Sequence, residues 1–218
     1  MGERISGNGH VISREQNVSS FNSVDVGGAI EVHIKQDAAH SVKIETDENL
    51  VEYIEVYTEG NTLKVHPRNG FNLDPSREMI VYVSAPVFKN IEVSGASKII
   101  GDNQISGNDG LRLDASGASK ITIGLSGGSV GGDLSGASSV NLSGQVTRID
   151  FKASGASHVN AFDLTAEEAV ADVSGASSME ITANKTLQAE ASGASHVRYK
   201  GNASVNSNTS GASSVSKE

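Results

Sequence analysis

Acidic side chains recur at one position of this sequence, two residues before each copy of the tetrapeptide Ser-Gly-Ala-Ser. Five of the seven copies carry Asp or Glu there. If the copies stack at the strand spacing of about 4.8 Å, these carboxylates form one column, in which like charges repel. Ca²⁺ prefers oxygen ligands, so the column predicts either a hydrated acidic face or a weak calcium site, which a calorimetric titration tests. The five residues are Glu92, Asp114, Asp133, Asp172 and Glu190, and Lys152 and Asn208 fill the other two places.

A second column follows the tetrapeptide and carries basic side chains. Lys98, Lys120, His158 and His196 each come directly after a copy, and serine occupies the other three places. His158 and His196 are two copies apart, about 10 Å at the strand spacing, which is too far for one zinc ion to bind both. Because this column is predicted to point outward, its four basic residues are candidates for facing a ligand. Apart from the weak calcium alternative for the acidic column, no metal site, catalytic residue or resident cofactor is predicted.

One stretch matches a catalytic motif. Residues 124–128, GLSGG, fit the G-x-S-x-G pattern of a nucleophile elbow, which needs a strand-turn-helix context and a histidine partner. The sequence shows no convincing amphipathic helix; its one helix-like stretch, TAEEAV at 165–170, is interpreted as decoration of a corner. In a chain this rich in Gly and Ser, the match is interpreted as chance.

The spacing of the tetrapeptide defines the fold class. Each copy lies in the same register between apolar or small residues, which a flexible Gly/Ser linker would not maintain. A near-constant period of 18 to 22 residues is typical of a solenoid. Because the flanking apolar residues share one parity, the tetrapeptide is predicted to be a strand or shallow bend in which stacking requires small side chains. The copies begin at Ser94, Ser116, Ser135, Ser154, Ser174, Ser192 and Ser210.

The first 90 residues show short strands with alternating apolar residues instead of this repeat. Seven strands are predicted there: SVDV, AIEVHI, SVKIET, YIEVYT, TLKVHP, MIVYVS and NIEVS. Glu59-Gly60-Asn61 predicts a hairpin turn, and residues 68–78 predict a long surface loop. We therefore expect one all-β domain over residues 1–218, with irregular coils to about residue 90 and regular coils over about 91–218.

Composition excludes several classes of function. The 218 residues carry a net charge of -9 and no Lys/Arg cluster, so nucleic-acid binding is not expected. No apolar run approaches the roughly 20 residues of a membrane-spanning helix, and no signal peptide is visible. Aromatic residues make up only 4% and cysteine is absent. The narrow interior of a stacked β-coil suits such a composition, because aliphatic residues from successive coils can fill it.

Three ordered segments give the chain a family resemblance: FNSVDVGGAIEVHI at 21–34, ETDENLVEYIEVYTEGNTLKVHP at 45–67, and the repeats that continue through Val215. Together they resemble the bacterial family described as putative auto-transporter adhesins with a head GIN domain. The resemblance implies a single-stranded parallel β-helix, with the right-handed form favoured. It also implies export to the envelope of Bacteroidetes-type bacteria and a role in adhesion. The family supplies no agreed catalytic residues.

The predicted function is therefore a noncatalytic envelope or cell-surface module that binds a surface glycan or protein. The unpaired edges at the ends of such a stack allow self-association. Two alternatives stay open: a polysaccharide lyase or hydrolase, and a left-handed β-helix acyltransferase. The first rests on fold analogy alone, and the repeat region offers only Phe151, Phe162 and Tyr199 as aromatic platforms for sugars. The second rests on six-residue steps that are not sustained along the chain.

Overall fold

A computed structural model describes residues 2–107 and 110–218, and its regular structure is almost entirely β-strand. A single turn of 3-10 helix spans Val51–Tyr53. The first strands are β1 (Glu3–Ser6), β2 (Val11–Glu15), β3 (Ser23–Val26), β4 (Glu31–Gln36), β5 (Ser41–Asp47), β6 (Ile54–Glu59), β7 (Thr62–Pro67), β8 (Phe71–Asp74) and β9 (Ile80–Ala85). The later strands are β10 (Asn90–Val93), β11 (Lys98–Gly101), β12 (Ile105–Ser106), β13 (Leu111–Ala115), β14 (Lys120–Ser126), β15 (Ser129–Leu134), β16 (Ser139–Ala153), β17 (His158–Val173), β18 (Ser178–Ala191), β19 (His196–Lys200), β20 (Ser204–Thr209) and β21 (Ser214–Lys217).

Two parallel ladders run the length of the repeat region, one on each side of the Ser-Gly-Ala-Ser copies. The strands that precede the copies form the pre-motif face, which runs through β3, β10, β13, β15, β16, β17, β18 and β20. The strands that follow the copies form the post-motif face, which runs through β4, β11, β14, β16, β17, β18, β19 and β21. The predicted all-β stack of parallel coils is confirmed.

The N-terminal end of the stack is closed by antiparallel strands. β6 and β7 form the predicted hairpin, in which Glu59 pairs with Thr62, and β5 pairs with β9 and then with β2. The seven predicted strands of this region are present. Residues 68–78, predicted to be a long surface loop, instead contain strand β8, which pairs with β1. Phe71 anchors that strand by packing on Tyr53, with ring centroids 4.7 Å apart.

Each Ser-Gly-Ala-Ser copy interrupts the strands, as a turn in the first five copies and as a bend in the last two. Of the two predicted forms, a strand or a shallow bend, the strand was therefore wrong. The seven glycines have φ between 71° and 75°, in the left-handed region that glycine adopts most readily. In each coil the alanine N–H donates to the glycine carbonyl of the preceding coil, as Ala156 does to Gly136 at 2.8 Å. The second serine points inward, and Ser138 Oγ donates to the Ser135 carbonyl at 2.9 Å. Small size is therefore needed at the glycine, and in four copies the hydroxyl of the second serine donates to the carbonyl of the first.

An eighth turn lies one coil earlier, at residues 26–30. Gly28 has φ 89°, and its carbonyl accepts the Ala96 N–H at 2.7 Å, which continues the column of turns. The sequence there reads VGGAI, so glycine and isoleucine replace the two serines that define the repeat. The pair Gly27-Gly28 does predict a tight turn. That this turn continues the column was not predicted, because it shares only the central Gly-Ala pair with the Ser-Gly-Ala-Ser copies.

The interior is filled mainly by aliphatic side chains that alternate inward along both ladders. Within the repeats Phe151 is the large exception: it is fully buried in β16. Gly132 of β15 and Ala171 of β17 lie directly beside it in the ladder. The two small neighbours leave the volume that the phenyl ring occupies, because each inward position is stacked on its counterpart in the next coil. Phe151 is therefore a core residue and offers no platform to a sugar.

The helix-like stretch at residues 165–170 is part of strand β17, so its interpretation as corner decoration was wrong. The register between β17 and β18 shifts between Ala166 and Glu168. Such a bulge lets Glu167 and Glu168 both face solvent while Ala166 and Ala169 stay buried. Within the part of the chain that the structure describes, no helix is long and apolar enough to cross a membrane.

A buried carboxylate fastens the N-terminal segments together. Asp47 is fully buried and accepts hydrogen bonds from the Gly9 N–H at 2.7 Å, the Ser76 N–H at 2.8 Å and the Ser76 hydroxyl at 2.7 Å. Burial alone would raise the pKa of Asp47, but the hydrogen bonds from Ser76 and Gly9 outweigh it and lower that pKa. The ionised carboxylate thus joins the end of β5 to two separate loops.

We expect Asp47→Ala to lower the free energy of unfolding by about 2 kcal/mol at pH 7, because three donors lose their acceptor. Since the folded-state pKa is lowered, this contribution is present above the unfolded pKa of about 3.9 and is lost as the pH falls through the folded value. Urea titrations of both proteins at several pH values between 3 and 7 measure the difference. Asp74→Ala, which removes an exposed ion pair with Arg4, is the control. An Asp47→Ala effect no larger than that of the control would contradict the assignment.

Candidate functional site

A shallow groove of about 660 Å³ lies on the pre-motif face. It lies over β15, where Gly131 and Gly132 present no side chains. Basic side chains from three coils surround this bare stretch. We call it the basic groove, and its lining includes Lys89, Asn90, Arg112, Ser129, Gly131, Gly132, Asp133, Arg148, Asp150 and Lys152.

The floor of the basic groove is set by backbone contacts. A Cβ atom added to Gly131 would lie 2.3 Å from the carbonyl oxygen of Asp150. One added to Gly132 would lie 1.7 Å from that of Leu113, and the φ of Gly132 is 155°. No side chain can fill the hollow without displacing a neighbouring strand. The groove is therefore a fixed feature of the fold.

Two arginines in the groove are held by carboxylates on either side. Arg112 donates through Nε to Asp114 at 2.8 Å and through a terminal nitrogen to Asp133. Hydrogen bonds to Asp114 and Asp133 raise the pKa of Arg112. These contacts fix the guanidinium in one orientation on the strand surface.

Arg148 is held in the same way, by Asp150 at 3.1 Å and Glu168 at 3.3 Å, and its pKa is likewise raised, first by the hydrogen bond to Asp150. Lys89 and Lys152 differ, because neither forms an ion pair with any residue that the structure describes. The groove thus combines two oriented guanidinium groups with two ammonium groups available to a ligand.

The predicted acidic column exists, and it borders this groove. Glu92 pairs with Asp114 in register, the Asp133 N–H donates to Asp114 Oδ1 at 3.0 Å, and Asp172 pairs with Glu190. Lys152 lies between Asp133 and Asp172 and divides the column. Arg112 and Lys152 place positive charge inside the column. Within the described ranges no group of three or more His, Cys, Asp or Glu could hold a metal ion, and calcium binding stays a prediction.

The second predicted column is also aligned, on the post-motif face. Lys98 pairs with Lys120 in register, and His158 and His196 lie two rungs apart with Ser178 between them. Lys98 Nζ is 3.4 Å from Glu31 and also contacts Glu78.

Both histidines of this column contact serines of the next coil. His158 Nδ1 contacts Ser178 Oγ, and His196 Nδ1 lies 2.9 Å from Ser214 Oγ. Burial first, and then the charge of Arg198, lower the pKa of His158. Three of the four side chains of the column are engaged by other segments, namely Lys98, His158 and His196, and the role of the column in ligand binding stays a prediction.

A third polar cluster was not predicted from the sequence. His33 Nε2 donates to Glu31 at 2.8 Å, and His33 Nδ1 donates to Asp102 at 2.8 Å. Because both partners are carboxylates, both ring nitrogens carry hydrogen and the ring is an imidazolium. Tyr82 covers the ring, with centroids 5.3 Å apart, and Lys98 balances the second carboxylate oxygen of Glu31. Since Asp102 follows β11, the cluster ties β4 to the next coil.

This imidazolium predicts that the protein loses stability as the pH rises. Burial lowers the pKa of His33, but hydrogen bonds to Glu31 and Asp102 outweigh burial and raise it overall. Its contribution is fully present below the unfolded value of about 6.5 and is lost as the pH rises through the folded value. We expect the free energy of unfolding to fall by on the order of 1 kcal/mol over that range, and His33→Gln to abolish the decrease. His10→Gln, at an exposed ion pair with Glu48, should leave it unchanged. An unchanged decrease in His33→Gln would contradict this account.

The G-x-S-x-G match lacks the context of a nucleophile elbow. Ser126 is the last residue of β14, and residues 127 and 128 form a bend that leads into β15. The arrangement is strand-turn-strand, whereas the elbow requires a helix after the turn. The interpretation of this match as chance therefore agrees with the local structure.

Three solved structures share this fold over nearly the whole chain. A putative adhesin from Bacteroides fragilis NCTC 9343 gives a TM-score of 0.91 at 20% identity, covering 98% of this chain and 100% of that one. A putative lipid binding protein from Parabacteroides distasonis ATCC 8503 gives 0.81 at 21% identity, covering 99% and 100%. A putative adhesin from Parabacteroides merdae ATCC 43184 gives 0.78 at 20% identity, covering 99% of each chain. At these identities the likeness shows the fold alone.

Sequence comparison identifies the family. Among curated proteins none matches the chain. The family described as "Putative auto-transporter adhesin, head GIN domain" matches residues 20–203, a range that includes the strands at 21–34 and 45–67 and most of the repeats. The resemblance drawn from those segments is confirmed. This chain belongs to the family "Putative auto-transporter adhesin, head GIN domain".

Proposed function

We propose that this protein is a noncatalytic binding module, exported to the bacterial cell envelope, that adheres to surface ligands through its pre-motif face. The observation that carries the proposal is the basic groove, whose floor is backbone and whose side chains stand on paired strands. A ligand meets groups that are already positioned, so little conformational entropy is lost on binding. The family description and the naming of two neighbours as putative adhesins support the same role.

The groove is shallow, and this favours binding over catalysis. Catalytic sites generally exclude water around a nucleophile, a general base or a metal ion. The groove instead displays Arg112 and Arg148 in stable ion pairs. Paired guanidinium groups are suited to orienting a ligand by hydrogen bonds.

Binding of the purified protein to an array of glycans and host-matrix proteins tests this function. We expect retention of at least one class of surface ligand, and reduced attachment of a strain that lacks the protein. Polymer recovered from the binding reaction is then sized for cleavage. The proposal would be contradicted if the protein bound nothing on the array and the strain that lacks it attached normally. Shortened polymer would instead indicate a polysaccharide-active enzyme.

A further inference from the structure

The chemistry of the basic groove narrows the class of ligand, on the assumption that the proposed binding function is correct. We infer that the groove binds an anionic glycan, that is, a polysaccharide whose acid groups are separated by neutral, hydroxyl-rich stretches. The inference rests on the charges of the groove, on its neutral hydrogen-bonding groups and on the separation of its two unpaired lysines.

The positive charge of the groove that is left for a ligand belongs to two lysines, in a chain whose net charge is -9. Four basic side chains line the groove, but its two arginines are paired with four carboxylates, those of Asp114, Asp133, Asp150 and Glu168. The carboxylates orient the arginines, so the ammonium groups of Lys89 and Lys152 are the ones left to attract an anion. Attraction of a polyanion to such a site is electrostatic and weakens with added salt.

The two lysines are far apart, which sets the spacing of the anionic groups. Lys89 adjoins Asn90, and the register from Asn90 through Arg112 and Gly131 to Asp150 spans three rungs. Three rungs correspond to roughly 14 Å across the strands. A ligand that contacts both lysines therefore carries acid groups separated by several ångströms of neutral chain.

The surface between the lysines suits hydroxyl groups. Asn90 and Ser129 can donate and accept hydrogen bonds, and Asp133 and Asp150 accept them. A sugar hydroxyl both donates and accepts, so it can satisfy either kind of partner. The same carboxylates repel a ligand whose charges are closely spaced.

A nucleic acid fits this groove less well than a glycan. Its phosphates are dense along the chain, so several of them would lie against Asp133 and Asp150. The observations therefore favour a sparsely charged glycan.

The test compares hyaluronan, in which a neutral sugar separates successive carboxylate-bearing sugars, with the same polymer after reduction of its carboxylates, using titration calorimetry at low salt. We expect the wild-type protein to bind hyaluronan and to lose that binding with the reduced polymer or with added salt. Lys89→Gln and Lys152→Gln should each weaken binding by about threefold to tenfold, and the double variant by about tenfold or more. Lys217→Gln, which removes the same charge at an exposed position of β21 outside the groove, should stay within about twofold of wild type.

Three outcomes would overturn the inference: equal binding of the reduced polymer, unchanged affinity of the double variant, or tighter binding of single-stranded DNA or polyphosphate than of hyaluronan. Thermal unfolding of each variant checks that the surface substitutions leave the fold intact. The array of glycans and host-matrix proteins distinguishes failure of this inference from failure of the proposed function. A protein that binds ligands on the array but does not bind hyaluronan refutes only the ligand class, whereas a protein that binds nothing on the array refutes the function itself.

Discussion

Phe151→Ala is expected to lower the free energy of unfolding by about 3–5 kcal/mol, the range for removing a buried aromatic ring. Phe151 is fully buried, and its ladder neighbours are Gly132 and Ala171. Neither neighbour has a side chain that could move into the space. The cavity therefore persists, and the free energy of unfolding falls by both the lost burial of the ring and the cost of the cavity. Chemical denaturation of the two proteins measures the difference.

Phe162→Ala is the matched control for this substitution. Phe162 belongs to the same coil region but is half-buried, and its ring is covered by Lys200 with Nζ 4.1 Å from the centroid. Removing it exposes little buried surface, so we expect a loss of about 1 kcal/mol or less. Equal losses for the two variants would contradict the assignment of Phe151 as the central core residue of the repeats.

Gly155→Ala is expected to be the second most damaging change, at about 3 kcal/mol. The φ of Gly155 is 74°, and a left-handed conformation costs a residue with a Cβ about 1–2 kcal/mol. The new Cβ would also lie 2.6 Å from the carbonyl oxygen of Gly136, which accepts the hydrogen bond from Ala156. Relieving that overlap shifts one coil against the next and weakens the hydrogen bond.

Gly127→Ala separates these two contributions. Gly127 has nearly the same φ, 76°, but no atom lies within 4 Å of the position of its Cβ. It should therefore carry the conformational cost alone, about 1–2 kcal/mol. Equal losses of stability for Gly155→Ala and Gly127→Ala would show that contact between stacked turns does not constrain the glycine column.

The repeat region could be predicted because, when coils stack, residues at the same position of successive copies become neighbours in the ladder. Once the tetrapeptide copies are aligned, Glu92 must lie beside Asp114, and Lys98 beside Lys120. The same reasoning placed the two histidines two rungs apart. The same reasoning did not predict the left-handed glycine in the tetrapeptide. The apolar residues before and after the tetrapeptide face inward in either case, so their alternation cannot distinguish a shallow bend from a turn at a left-handed glycine.

The spacing of the tetrapeptide copies did not predict the basic groove. Gly131-Gly132 is inconspicuous in a glycine-rich chain, although glycine at two successive strand positions is a signal of bare backbone. The ion pairs of Arg112 and Arg148 join residues 20 or 21 apart in the chain, and arginine does not recur at either position in the other copies. The His33 cluster is less predictable still, because its partner Asp102 is 69 residues away in a coil whose pairing with β4 the sequence does not show.

Binding by the groove variants is the most direct test of the central claim, that the pre-motif face is the binding surface. Whichever surface ligand the wild-type protein retains on the array is titrated against the Lys89→Gln/Lys152→Gln double variant and against Lys120→Gln. We predict that the double variant loses about tenfold or more in affinity while Lys120→Gln binds like wild type. Loss of binding in Lys120→Gln with full binding by the double variant would contradict the account and assign the function to the post-motif face.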